Sequence, residues 1–195
     1  DFLNRNNNEL VATWGNLANR VLAFAYKHWE GHVPSPGELQ PADRQVLATV
    51  EEGFQTVGKH LDAVRLRAAL NEAIRLASEV NKYLDQSAPW FEIKSNKAAA
   101  ATTVYTALRA IDSLKVLLAP FLPFTSERLH MYLGYTQPLF GEQFVESYTD
   151  SLGEHKVLRY RPGYANGRWE PSQLSPGQPL EQPAPLYQKL DEGIV

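Results

Sequence analysis

Residues 10–29 read LVATWGNLANRVLAFAYKHW. Apolar side chains fall at 10, 11, 14, 17, 18, 21, 22, 25 and 29, the period of a helix that buries one face. On a wheel of about 100° per residue, Leu10, Trp14, Leu17, Ala18, Val21 and Ala25 gather on one side. Asn16 and Arg20 fall on the other, one turn apart and about 40° from each other. Lys27 continues their stripe, while Asn19 lies on its flank with no assignable role. Glycine and asparagine are poor helix formers. Gly15, Asn16 and Asn19 therefore need a use that offsets their cost, and Gly15 suits a close approach to the backbone.

Outward from this stretch the helical pattern recurs. The first helix spans roughly Asn8 to Trp29, and Gly31 with the following VPSPG ends it. A second begins near Pro41, a favoured first-turn residue, and runs to about Leu61. A third covers about Arg65 to Asp85, with Leu66, Leu70, Ala73, Ile74, Ala77, Val80 and Leu84 as its buried stripe. The fourth starts near Asn96 and carries Val104, Leu108, Ile111, Leu114 and Leu118 until Pro120 and Pro123 break it. A last piece, Thr125 to Leu133, has Thr125 as its expected N-cap and Gly134 as its stop.

After Gly134 the character changes, because the last 61 residues hold 13 of the chain's 25 glycines and prolines. Such a segment cannot form another long helix, yet Trp169, Leu174, Leu180, Leu186 and Tyr187 make it too apolar for a free tail. The expected fold is all-α: a bundle of four to five helices over residues 1–134 and an irregular Gly/Pro-rich arm over 135–195. That arm is expected to pack back on the bundle or on a domain outside this chain.

Composition excludes several classes of function. At 44% hydrophobic and 21% charged the chain is ordinary globular material, and a net charge of −3 argues against bulk electrostatic binding of nucleic acid. A local, shaped RNA site stays open. The absence of cysteine removes disulfides, thiolate catalysis and cysteine-based zinc sites, and suits a reducing compartment. No apolar run has the length of a membrane span. His28 and His32 stand four apart, but Gly31 interrupts the helix between them and no third ligand is near, so no metal site is expected. Glu51 and Glu52 point along divergent directions and make no acid–base pair. No phosphate loop, nucleophile elbow or zinc-protease motif occurs. With Asp1 first and Met131 the sole methionine, the chain reads as a piece of a longer protein.

Asn16 and Arg20 admit two readings. They are either a solvated polar face or a pair that reads a small planar ligand. Arginine offers a fixed fork of donors and asparagine a donor and an acceptor. Unpaired cytosine presents acceptors at O2 and N3 and a donor at N4, whereas uracil turns an N3–H toward the same arginine. Trp90 follows Pro89 after the third helix and is either a plug for the bundle end or a stacking platform for a splayed base. Lys27 and, less directly, Lys94 are candidate phosphate contacts or simply solvated lysines.

The residues carry a resemblance. Gly15-Asn16-Leu17-Ala18-Asn19-Arg20 with Phe24 resembles the first helix of the anticodon-binding domain of methionyl-tRNA synthetases. The third-helix exit, with Asn81, Tyr83, Leu84, Pro89 and Trp90, is similar to the family's N-x-Y-[IL]-x-x-x-x-P-W segment. LLAPFLPFTSERLHMYLG at 117–134 and PLEQPAPLYQKLD at 179–191 resemble its later passages, so the likeness spans the chain. It implies that Asn16, Arg20 and Trp90 recognise a CAU anticodon, the tryptophan stacking on its first base. The implied partners are the anticodon loop of tRNA(Met) and an absent catalytic domain, with no membrane and a cytoplasmic location. The family's H-I-G-H and K-M-S-K-S types of motif are missing, Ile93-Lys94-Ser95-Asn96-Lys97 being no match, as is a zinc insertion. ATP and Mg would thus belong to the parent enzyme, which charges the tRNA with methionine. The fragment itself is expected to need no cofactor and to be inactive alone. The alternatives are a partner-binding bundle without RNA specificity, or the equivalent domain of another class I synthetase.

Overall fold

The computed structural model describes residues 2–191 and 193. Its first helix is longer than the periodicity predicts. Phe2–Asn4 is α-helical, Arg5–Gly15 is π-helical and Asn16–His28 is an α-helix, here α1. The backbone holds φ/ψ of −63°/−45° at Asn4 and −61°/−42° at Gly15, so the three form one rod. In the wider turns the bonds run five residues back, as Asn16 N–H to the Val11 carbonyl shows. A uniform wheel therefore holds only from Asn16 onward. Trp14, Leu17, Ala18, Val21, Leu22 and Ala25 are buried. The rod ends where Glu30 and Gly31 take positive φ and the Gly31 N–H reaches back to the Tyr26 carbonyl.

Helix α2 (Pro41–Asp62) opens with a capping box in which the Gln40 N–H donates to Asp43 and proline occupies the first turn. Helix α3 is Leu66–Ser87, α4 the single turn Pro89–Glu92, α5 Lys97–Leu118 and α6 Pro123–Tyr132. Asn96 caps α5 by accepting from the Ala99 N–H at 3.0 Å. Thr125 is not the cap of α6. That helix starts two residues earlier at Pro123, and the Thr125 hydroxyl instead meets the Tyr187 hydroxyl at 2.6 Å.

Helix α5 is the axis of the bundle, packed against α1, α2 and α3 and buried nearly all round. Leu108, Ile111, Leu114, Leu117 and Leu118 are fully enclosed, each contributing about 1.5–3 kcal/mol by leaving water. Two polar residues lock α3 in place. Asn81 donates to the Thr13 carbonyl at 3.0 Å, and the Tyr83 hydroxyl donates to Asp43 at 2.5 Å. A buried charge cluster joins α5 to α6: the Lys115 ammonium lies 2.5 Å from Asp112 and donates to His130 Nδ1 at 2.8 Å. Tyr135 stacks on His130 with centroids 4.2 Å apart and donates to Asp112.

The chain is mostly helical, but the all-α expectation misses a β-hairpin. Strands β1 (Glu142–Asp150) and β2 (Gly153–Arg161) pair antiparallel, Glu142 opposite Arg161 and Asp150 opposite Gly153. Ion pairs Glu142–Arg161 and Glu146–Arg159 lace one face. The rest of the tail runs back over the bundle. Trp169 donates to the Phe54 carbonyl, Leu174, Leu180 and Leu186 are buried, and Asn7 exchanges two hydrogen bonds with Leu190. Tyr187 rests on Gly15, where a Cβ would stand 2.6 Å from its ring. Gly15 thus seats the arm.

Candidate functional site

Helix α3 ends at Ala88, whose backbone takes the left-handed conformation (φ 41°, ψ 54°). This is uncommon for a residue with a Cβ and marks a constrained point. The Ala88 N–H still bonds to the Leu84 carbonyl, and Pro89 then starts α4 with its φ already set. The reversal turns Trp90 back onto α1.

There it meets Arg20. The guanidinium carbon sits 4.3 Å from the centroid of the Trp90 ring, within cation–π range. Arg20 Nη2 lies 3.6 Å from Asp85 Oδ1, close enough for charge attraction but beyond a good hydrogen bond. Arg20 Nε is buried without a hydrogen-bond partner. A buried guanidinium donor without a partner is costly. Phe24, one turn on from Arg20, also meets Trp90, its ring edge-on at 5.8 Å and 83°. Trp90 is half-buried, a compromise between the plug and the open platform.

Asn16 is exposed one turn before Arg20, and its side chain has no hydrogen-bond partner among the described residues. The amide faces solvent on the side where Arg20 stands. Arg20 and Trp90 are brought into contact; Asn16 joins them by helical position alone. Lys27 and Lys94 are exposed and make no ion pair among the described residues. Asn19 is half-buried on the flank and likewise unpartnered.

Asp85, Phe24, Trp29 and Lys97 were not anticipated at the site. Trp29 meets Phe24 edge-on at 5.9 Å, and the Lys97 ammonium lies 5.9 Å from the Trp29 centroid. Asp85 and Phe24 could have been found. Asp85 lies five positions before Trp90, and Phe24 lies four after Arg20 on the same helix face. Among the described residues no cluster of three or more His, Asp or Glu could hold a metal ion, and no helix is long and apolar enough to cross a membrane.

A family model described as the anticodon binding domain of methionyl tRNA ligase matches residues 33–156. That region includes Trp90 and Lys94 but not α1. Over 196 aligned residues the chain is 55% identical to a methionine–tRNA ligase of Thermomicrobium roseum and 52% to one of Chloroflexus aggregans. Those alignments take in 100% of this chain but 33% and 32% of the relatives, so the chain spans about a third of their length. Among solved structures, the apo form of Mycobacterium tuberculosis methionyl-tRNA synthetase matches with a TM-score of 0.77 at 27% identity, over 97% of this chain and 34% of that one. The same enzyme bound by methionyl-adenylate matches at 0.74, again at 27% identity, over 94% of this chain and 32% of that one.

Proposed function

The chain belongs to the family of anticodon-binding domains of methionyl-tRNA ligases, and from that premise we propose that its Arg20–Trp90 pair reads the first base of a CAU anticodon. The observation that carries this reading is the stacked guanidinium with its unpartnered Nε. A cytosine laid on the indole gains stacking energy, and its O2 and N3 offer acceptors to the guanidinium, whose Nε has none. Asn16, four residues or about 6 Å of helix axis away, offers its amide to the remaining edge. Uracil in the same place would turn N3–H toward a group that can only donate, which gives the preference for C over U.

In this reading the parent enzyme charges tRNA(Met) with methionine in the cytoplasm, using ATP and Mg in a catalytic domain outside this chain. The role of the chain is recognition.

The test is the affinity of this chain for an anticodon stem-loop carrying CAU against the same loop carrying UAU. Tighter binding of CAU is expected. Equal affinities would favour the reading as a partner-binding bundle without RNA specificity.

A further inference from the structure

Arg20 is the second member of a strip down α1 at intervals of four residues: Asn16, Arg20, Phe24, His28. Residues so spaced stand one above the next, so the strip runs past the Arg20–Trp90 pair to the C-terminal end of α1. Phe24 is the link. Its ring contacts Trp90 at 5.8 Å on one side, and His28 at 4.4 Å and Trp29 at 5.9 Å on the other.

Beyond Phe24 positive charge collects. Lys97, the first residue of α5, lays its ammonium over the Trp29 ring, and Lys27 precedes His28 on α1. Burial, and then the charges of Lys27 and Lys97, hold the His28 imidazole below its ordinary range, so both ammonium groups are felt at this ring. Among the described residues Lys27, His28 and Lys97 have no carboxylate ion-pair partner. Glu30, the nearest acid in sequence, makes no such pair either. Although the chain has three more acids than bases, no carboxylate among the described residues is paired with these three. Like charges held together without a counter-ion repel, and a bound anion relieves that repulsion.

We infer that Lys97, flanked by His28 and Lys27, is a subsite for an RNA backbone phosphate, that of the nucleotide next to the base held on Trp90. The inference rests on the anticodon reading above and extends it from one base to the strand. From Arg20 to His28 the strip covers about 12 Å of helix axis, room for a second nucleotide. Trp29 is a positioning residue. Its ring face holds the ammonium toward the strip through a cation–π contact.

The experiment measures binding of CAU and UAU stem-loops over a series of salt concentrations, with the wild-type chain, Lys97→Gln and Lys97→Arg. Lys97→Gln is expected to weaken both loops by the same factor and to reduce the slope of log affinity against log salt by about 0.7. Lys97→Arg is expected to restore the slope, and the C-over-U ratio should stay constant throughout. An unchanged slope in Lys97→Gln, with C still preferred, overturns the phosphate subsite and leaves the anticodon reading standing. A lost C preference in Lys97→Gln also overturns it, by making Lys97 a base reader. A wild-type chain that binds the two loops alike, or neither, overturns the anticodon reading and this inference with it.

Discussion

The guanidinium of Arg20 covers a face of the Trp90 ring at 4.3 Å, although the two residues lie on different helices. In the proposed reading a base stacks on this ring, so the arginine occupies the ring face until RNA takes it.

Removing the platform should weaken binding without unfolding the domain. Trp90→Ala is expected to cost about 1–3 kcal/mol of affinity for the CAU loop, the usual worth of one base–aromatic stack. Titration of the variant checks this, with circular dichroism reporting that helicity is kept. Unchanged affinity would exclude Trp90 as the platform.

Arg20→Lys separates charge from shape. Lysine keeps the positive charge near Asp85 but loses the flat fork of donors. The salt dependence of binding should therefore persist, while the preference for CAU over UAU shrinks by about 1–3 kcal/mol. A lysine variant that discriminates like the wild type would show that Arg20 acts as a charge alone.

Gly15→Ala should loosen the arm. A Cβ at this point would stand 2.6 Å from the Tyr187 ring, forcing it off the rod and away from Thr125. Such overpacking costs about 1–3 kcal/mol, against a gain of about 1 kcal/mol from replacing glycine in a helix. Limited proteolysis at Lys189 should accelerate. In a Tyr187→Ala background the sign should reverse, with Gly15→Ala raising the melting temperature. The same sign in both backgrounds would show that the two residues are not coupled.

Acidification should destabilise the chain through His130. Burial, and then the neighbouring Lys115 ammonium, push its pKa down to about 4, while Asp112 opposes the shift. Unfolded histidine titrates at about 6.5. Between these values the unfolded chain binds a proton that the folded chain does not, so stability falls as pH drops through that window. The contribution is fully present above it. Urea denaturation of wild type and His130→Gln at pH 7 and pH 5 should show a larger loss for the wild type. Equal losses would remove His130 from the account.

Much of the bundle was legible because helices encode themselves locally. The apolar stripe of α3, the proline start of α2 and the proline break after α5 each depend on residues within a few positions of one another. The π-helical start was not legible, since Arg5–Gly15 carries no residue that forces five-residue bonding. The hairpin escaped for a different reason. Averaging glycine and proline over the whole tail hid 142–161, where Gly153 is the only such residue and Phe144, Val145, Tyr148, Val157, Leu158 and Tyr160 favour strand.

By itself the sequence determined the four long helices and the placement of Asn16 and Arg20 one above the other on α1. Both follow from the 3.6-residue period, a property of neighbours along the chain. Only the tertiary structure decided that Trp90 lies on Arg20, that Phe24 also meets Trp90, and that Gly15 seats Tyr187. Those pairings depend on the left-handed turn at Ala88, on how the helices pack around α5 and on the return path of the arm. They are set by the packing of the whole core, which no local period records.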